Sequence, residues 1–222
     1  MNNATMAGLA TAAILLLFGN PTLGGEDILF AQPTDFAGGL VPSSWVGQAT
    51  PTATDSFAYG NFVVSPTGDI HEIRWRGGYI GGDQGNRVVV FLISFYATNY
   101  LDMPDANTPY GEASYMRVYN TGGNADETPA GTYGGVTMYD YRYVLDPPLP
   151  AYVFSTYWVK IEAVQGRTPN WGIATATRGL HYSFTQGRFM QGAGQLAFSL
   201  LGKKAPEVTS VPEPAAGSGA GG

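Results

Sequence analysis

Glycine and proline interrupt this chain so often that long helices have no room to form. Of its 222 residues, 31 are glycine and 15 are proline, and they are spread along the chain rather than gathered in one segment. A glycine inside a helix costs about 1 kcal/mol relative to alanine and a proline about 3 kcal/mol, so what lies between them must be short. Those segments are dense in β-branched and aromatic residues, which suit a pleated, half-buried surface.

The clearest strand is Val88 to Tyr96 (VVVFLISFY), an unbroken apolar run that predicts a central strand with both faces covered. Ser56 to Val64 followed by Ser65-Pro66-Thr67-Gly68-Asp69 predicts a hairpin. Its second arm, Ile70 to Ile80, sets His71, Ile73, Trp75 and Tyr79 on one face and Glu72, Arg74 and Arg76 on the other. Val136 to Leu145 carries Tyr139, Tyr141 and Tyr143 on one parity and is expected to stop at Asp146-Pro147-Pro148. Tyr152 to Val164 alternates Tyr157, Val159 and Ile161 against Trp158, Lys160 and Glu162. Asp27 to Gln32, Tyr115 to Tyr119, Trp171 to Thr177, His181 to Thr185 and Gln195 to Leu201 are shorter candidates, whereas Asn99 to Glu112 and Gly122 to Gly131 read as polar and acidic loops. Some nine to eleven short strands at regular spacing predict an all-β chain, an antiparallel β-sandwich or barrel.

The two ends differ from the middle. Met6 to Phe18 (MAGLATAAILLLF) is apolar, helix-prone and closed by Gly19-Asn20-Pro21, with the small residues of Thr22-Leu23-Gly24 after it. That pattern predicts a helical signal peptide over 1–24 and a secreted or cell-surface protein. About 13 apolar residues fall short of the roughly 20 needed to cross hydrocarbon, so no membrane span is expected in the mature chain. Residues 25–203 are the size of one ordinary domain, and 204–222, rich in Pro, Gly and Ala, predict a disordered tail.

Composition then excludes several kinds of chemistry. Eleven Lys and Arg against seventeen Asp and Glu give a net charge of −6, with no basic run to neutralise a phosphate backbone, so nucleic acid is not an expected partner. The absence of cysteine rules out disulfides and thiolate-bound metal. His71 and His181 are the two histidines, and neither lies in a nucleophile motif; both read as packed or edge residues, His181 alternatively lining a binding surface. Glu72 and Glu162, the carboxyls most embedded among apolar neighbours, sit on the outward parity of their strands and are expected to be solvated. No catalytic residue is therefore assigned.

Calcium is the inorganic partner that acidic loops of this kind would suit, through Asp102, Asp105 and Glu112, or Asp126 and Glu127; solvated loops are the competing reading. Trp45, Tyr100, Tyr110, Trp171 and Tyr182 fall beside turns, where a ring can stack on a sugar or pack against an edge. Trp75 and Trp158 lie mid-strand and are expected in the core. If Trp171 and Tyr182 form a platform, they should be partly exposed on one face.

The order of these marks resembles a group of bacterial exported jelly-roll proteins, many of which carry a PEP-CTERM sorting signal. The resemblance rests on Gln32-Pro33, Asp55-Ser56-Phe57, the segment holding Ile70, Ile73, Trp75, Gly77 and Tyr79, then Tyr157-Trp158, Trp171-Gly172 and the terminus Ala197-Phe198-Ser199-Leu200-Leu201-Gly202. Val211-Pro212-Glu213-Pro214 is similar to the start of the sorting signal, although the apolar helix and Arg cluster that should follow it are missing from the sequence. The resemblance implies export and a jelly roll. Three functions follow as expectations: a non-enzymatic surface or matrix protein binding polysaccharide, a glycoside hydrolase or lyase on the same scaffold, or a structural matrix component that self-associates.

Overall fold

The computed structural model describes residues 26–46, 55–82, 87–105, 115–123, 125–166, 169–185 and 188–206. The expected signal helix and nearly all of the expected tail lie outside these residues. Among them the chain is all-β, with fourteen strands in two seven-stranded sheets. The first sheet contains β1 (Asp27–Ala31), β2 (Leu40–Pro42), β5 (Gly68–Tyr79), β8 (Asp126–Tyr133), β9 (Val136–Ala151), β11 (Trp171–Ala174) and β14 (Phe198–Lys204). The second runs β13 (Arg188–Ala193), β12 (Leu180–Thr185), β4 (Ser56–Val63), β3 (Ser44–Trp45), β10 (Thr156–Gln165), β6 (Val88–Ala97) and β7 (Tyr115–Asn120). All described strand pairings are antiparallel except that of β3 with β10.

β5 organises the first sheet. One edge pairs with β9 along its length, and the other is shared end to end by β14 and β11. In the second sheet, β6 is held between β10 and β7, which gives Val88 to Tyr96 the interior position expected of it. Phe91, Ile93 and Phe95 of β6, with Val159 and Ile161 of β10, meet Ile70, Ile73, Trp75, Trp171 and Phe198 of the first sheet in one buried core.

Rings dominate this core. Trp75 stacks on Tyr141 (5.4 Å, 11°), and Phe91 from the opposite sheet meets Trp75, Tyr141 and Trp171 edge-on at 5.1, 4.9 and 5.0 Å. Edge-on contact sets the positive rim of one ring against the negative face of the next. Gly77 makes room for the cluster, because a Cβ there would collide with the Trp171 ring and the carbonyl oxygen of Gly172.

Several local expectations are corrected. Ser65 to Asp69 does not close a hairpin: β4 belongs to the second sheet and β5 to the first, so this corner carries the chain from one layer to the other. A bulge between Ile70 and Glu72 turns both Ile70 and Ile73 inward. His71 is thereby shifted out of the core row and lies partly exposed, 3.7 Å from Glu26 Oε1. The tyrosine strand does not stop at Asp146-Pro147-Pro148. It bulges there and resumes, pairing Leu149, Pro150 and Ala151 with Ile70, Asp69 and Gly68.

The acidic stretch read as a loop includes strand β8, which forms a hairpin with β9 through Gly134 and Gly135 at φ +58° and +81°. Left-handed residues at both central positions match the twist of the flanking strands, and glycine takes them without strain. Pro129 lies inside β8 and has no N–H to give, which an edge strand tolerates.

Trp171 is completely buried, so Trp171→Ala should lower the free energy of unfolding by about 3–5 kcal/mol. Urea denaturation of the variant beside the parent checks this, and a loss below about 1 kcal/mol would contradict the packing described.

Candidate functional site

The structure separates the residues expected to form one binding platform. Trp171, which a platform with Tyr182 requires to be partly exposed, belongs to the core, because β11 brings its indole over Gly77. Tyr100 is 94 % exposed at the tip of the loop after β6, with no ring beside it in the described contacts. Tyr110 and Glu112 lie outside the described residues. Asp102 is exposed and Asp105 half-buried on a loop held by Asn99, whose Oδ1 accepts from the N–H groups of Leu101 and Met103. Among the described residues no group of three His, Asp or Glu side chains is placed to hold a metal ion.

Trp45 and Tyr182 do come together, on the outward face of the second sheet. Both are half-buried and pack against a second cluster made of Phe57, Tyr59, Tyr96, Trp158 and Phe184. Inside it lies an ion pair, Lys160 Nζ to Glu162 Oε2 at 3.0 Å. The Nζ sits 4.8 Å from the centre of the Phe57 ring and 5.8 and 6.0 Å from those of Tyr59 and Tyr96. Burial opposes the Lys160 ammonium, but Glu162 together with the Tyr59 and Tyr96 phenols outweighs it and raises the group above the usual lysine range. For Glu162 burial is the larger effect and pushes the carboxyl up, with Lys160 pulling against it.

Neither outward-facing carboxyl is solvated as expected. Glu72, equally buried, accepts hydrogen bonds from Arg74 and Arg142. Burial pushes its carboxyl up, yet the two guanidinium groups prevail and hold it below the usual range. His181 is structural as well: its Nδ1 donates to the carbonyl of Gly194 at 2.6 Å, and its ring occupies the space a Cβ on Gly192 would need.

The arrangement best suited to a ligand lies between the sheets, where β6 begins opposite β8 and β9. An open cleft of about 280 Å³ is lined there by Arg87, Val88, Phe91, Thr121, Glu127 and Tyr141, among others. Thr121 fixes the rim, its Oγ1 accepting from Phe91 N at 2.9 Å. Glu127 is the hub: Oε1 takes a hydrogen bond from Arg87, and Oε2 accepts from Tyr141 Oη at 2.9 Å and from Tyr79 Oη at 3.3 Å. Behind them Trp171 Nε1 donates to Tyr141 Oη at 3.1 Å, and Val88 N donates to Tyr79 Oη at 3.2 Å. A chain of hydrogen bonds thus runs from the core to the solvent.

This setting limits the chemistry. Burial and the neighbouring Glu127 carboxylate push the Tyr141 phenol far above its usual range, and burial raises Tyr79 too, so both stay protonated as donors rather than bases. Hydrolysis of a glycosidic bond ordinarily takes two carboxyls across a cleft; among the described residues lining this one, Glu127 is the sole carboxylate. The described lining offers an apolar floor with a few convergent donors and acceptors. Sequence reasoning weighed Glu127 as a calcium ligand and did not single out Arg87, Tyr79 or Tyr141 as site residues. The available signal was the shared parity of Tyr139, Tyr141 and Tyr143, since three phenols aimed at one interior need polar partners. Comparison of the chain with protein-family models, curated proteins and solved structures finds no match.

Two stability measurements test these contacts. Lys160→Met should cost about 3–5 kcal/mol by leaving Glu162 buried without its partner, while Lys160→Met with Glu162→Leu should recover most of that loss; equal costs for the single and double variants would show that the charges are uncoupled. Tyr141→Phe should cost about 1–3 kcal/mol, because it strips Trp171 Nε1 and Glu127 of a buried partner, and an unchanged urea midpoint would contradict the relay.

Proposed function

We propose that this chain is an exported, non-enzymatic jelly-roll protein of the cell surface or extracellular matrix, and that it binds polysaccharide in the Arg87–Glu127 cleft. The observation that carries the reading is the cleft itself, where a guanidinium and a carboxylate stand side by side above an aromatic floor. Paired donors and acceptors of that kind match the hydroxyl groups of a sugar, while ring faces accept its C–H surface. The apolar leader at 1–24 and the resemblance to PEP-CTERM-type exported proteins support the location. The lone carboxylate in the described lining weighs against a hydrolase on the same scaffold, and the reading calls for no cofactor.

Arg87 has 59 % of its side chain exposed, so its replacement should leave the fold almost untouched. On an array of plant and bacterial polysaccharides the parent chain should be retained by at least one polymer. Arg87→Ala should weaken that binding by about tenfold, the loss expected for one charge-assisted hydrogen bond, with its melting temperature near that of the parent. Capture by no polymer, or equal affinity of the variant, would overturn the proposal.

A further inference from the structure

Beside the first cleft lies another, of about 310 Å³, walled by Tyr79 and Tyr139 and bounded by Gly81, Gly135 and Thr137, among others. Tyr79 stands between the two. Its ring meets Tyr139 edge-on at 5.7 Å, while its hydroxyl reaches Glu127 of the first cleft. Tyr139 and Tyr141 are two residues apart on β9, so they share a face roughly 7 Å apart, and each lines one cleft. The two spaces are therefore consecutive along a single strand.

Charge narrows what could fill them. The described lining of the second cleft holds no charged side chain, and in the first the Arg87 cation is paired with Glu127. The chain as a whole carries −6, which repels an anionic polymer at long range. Gly82 and Gly135 border the second cleft in left-handed conformations, with nothing within 4 Å of where a side chain would project, so a flat ring can approach the bare backbone.

Resting on the reading of the first cleft as a polysaccharide site, we infer that the second is an adjoining subsite, and that the ligand is a neutral oligosaccharide spanning at least two sugar units across Tyr79. Each subsite adds stacking and hydrogen bonds without a second cost of association.

Calorimetric titration of the full chain tests this with four series of one to six units: β-1,4-glucan, β-1,3-glucan and β-1,4-mannan oligomers, and oligogalacturonate as the acidic series. At least one neutral series should gain about tenfold in affinity between one unit and two or three units, then level off, with oligogalacturonate weaker at every length. Tyr139→Ala should abolish most of that gain, and Tyr139→Phe should keep it. Neutral binding that ignores length, or tighter binding of the acidic series, overturns the two-subsite inference and leaves the first cleft as the site. Failure of all four series to bind overturns the two-subsite inference, and the reading of the first cleft falls with it when the array captures no polymer.

Discussion

The indole of Trp171 rests on the bare backbone of Gly77, and that contact sets the spacing of everything around it. Because no Cβ intervenes, β11 can lie against β5 with its largest side chain turned into the core, where Phe91 of the opposite sheet meets it. The same indole donates to Tyr141, and Tyr141 to Glu127. The position of the carboxylate at the cleft is thus fixed from inside, by packing that tolerates little volume change. A site built this way arrives with its polar groups already aimed, which reduces the ordering cost of binding.

Parity and composition made the sheets legible, and topology did not follow from them. The nine-residue run from Val88 to Tyr96, apolar but for Ser94, marked an interior strand, and the alternation around Val159 and Ile161 assigned the two faces of β10 correctly. The corner at Ser65 to Asp69 was misread because its turn chemistry suits a hairpin and an inter-sheet crossing equally well; only the partners of β4 and β5 distinguish them. β8 was hidden by Pro129 and its acids, since an edge strand need not look apolar. The candidate site suffered accordingly. Trp171 sits beside a turn in sequence, but nothing local reveals the glycine opposite that draws it inward, and Glu127 gains its place only once β8 is recognised as a strand.

Charge is scarce here, at 13% of residues, and a notable share of it is buried. Glu72 lies under two arginines on one outer face, and Lys160 with Glu162 lies among rings on the other. Such pairs contribute little net stability, since removing charges from water offsets most of their attraction. Their effect is to penalise a slipped register: moving β10 by one residue would turn Lys160 and Glu162 into the sandwich interior. Much of the surface is accordingly left to neutral polar and aromatic groups.

The pairing of β1 with β14 also bears on how the protein is made. Asp27 finds its partner in Gly202, and Phe30 in Leu200, so the earliest strand waits for the latest, and β14 must slot between β1 and β5 before that side of the sheet exists. A ribosome releases residues in order, and every other described strand has emerged before this sheet can close. Contacts so distant along the chain are slow to form. The nascent polypeptide therefore lacks a completed first layer until the seven residues of β14 can take their place between β1 and β5.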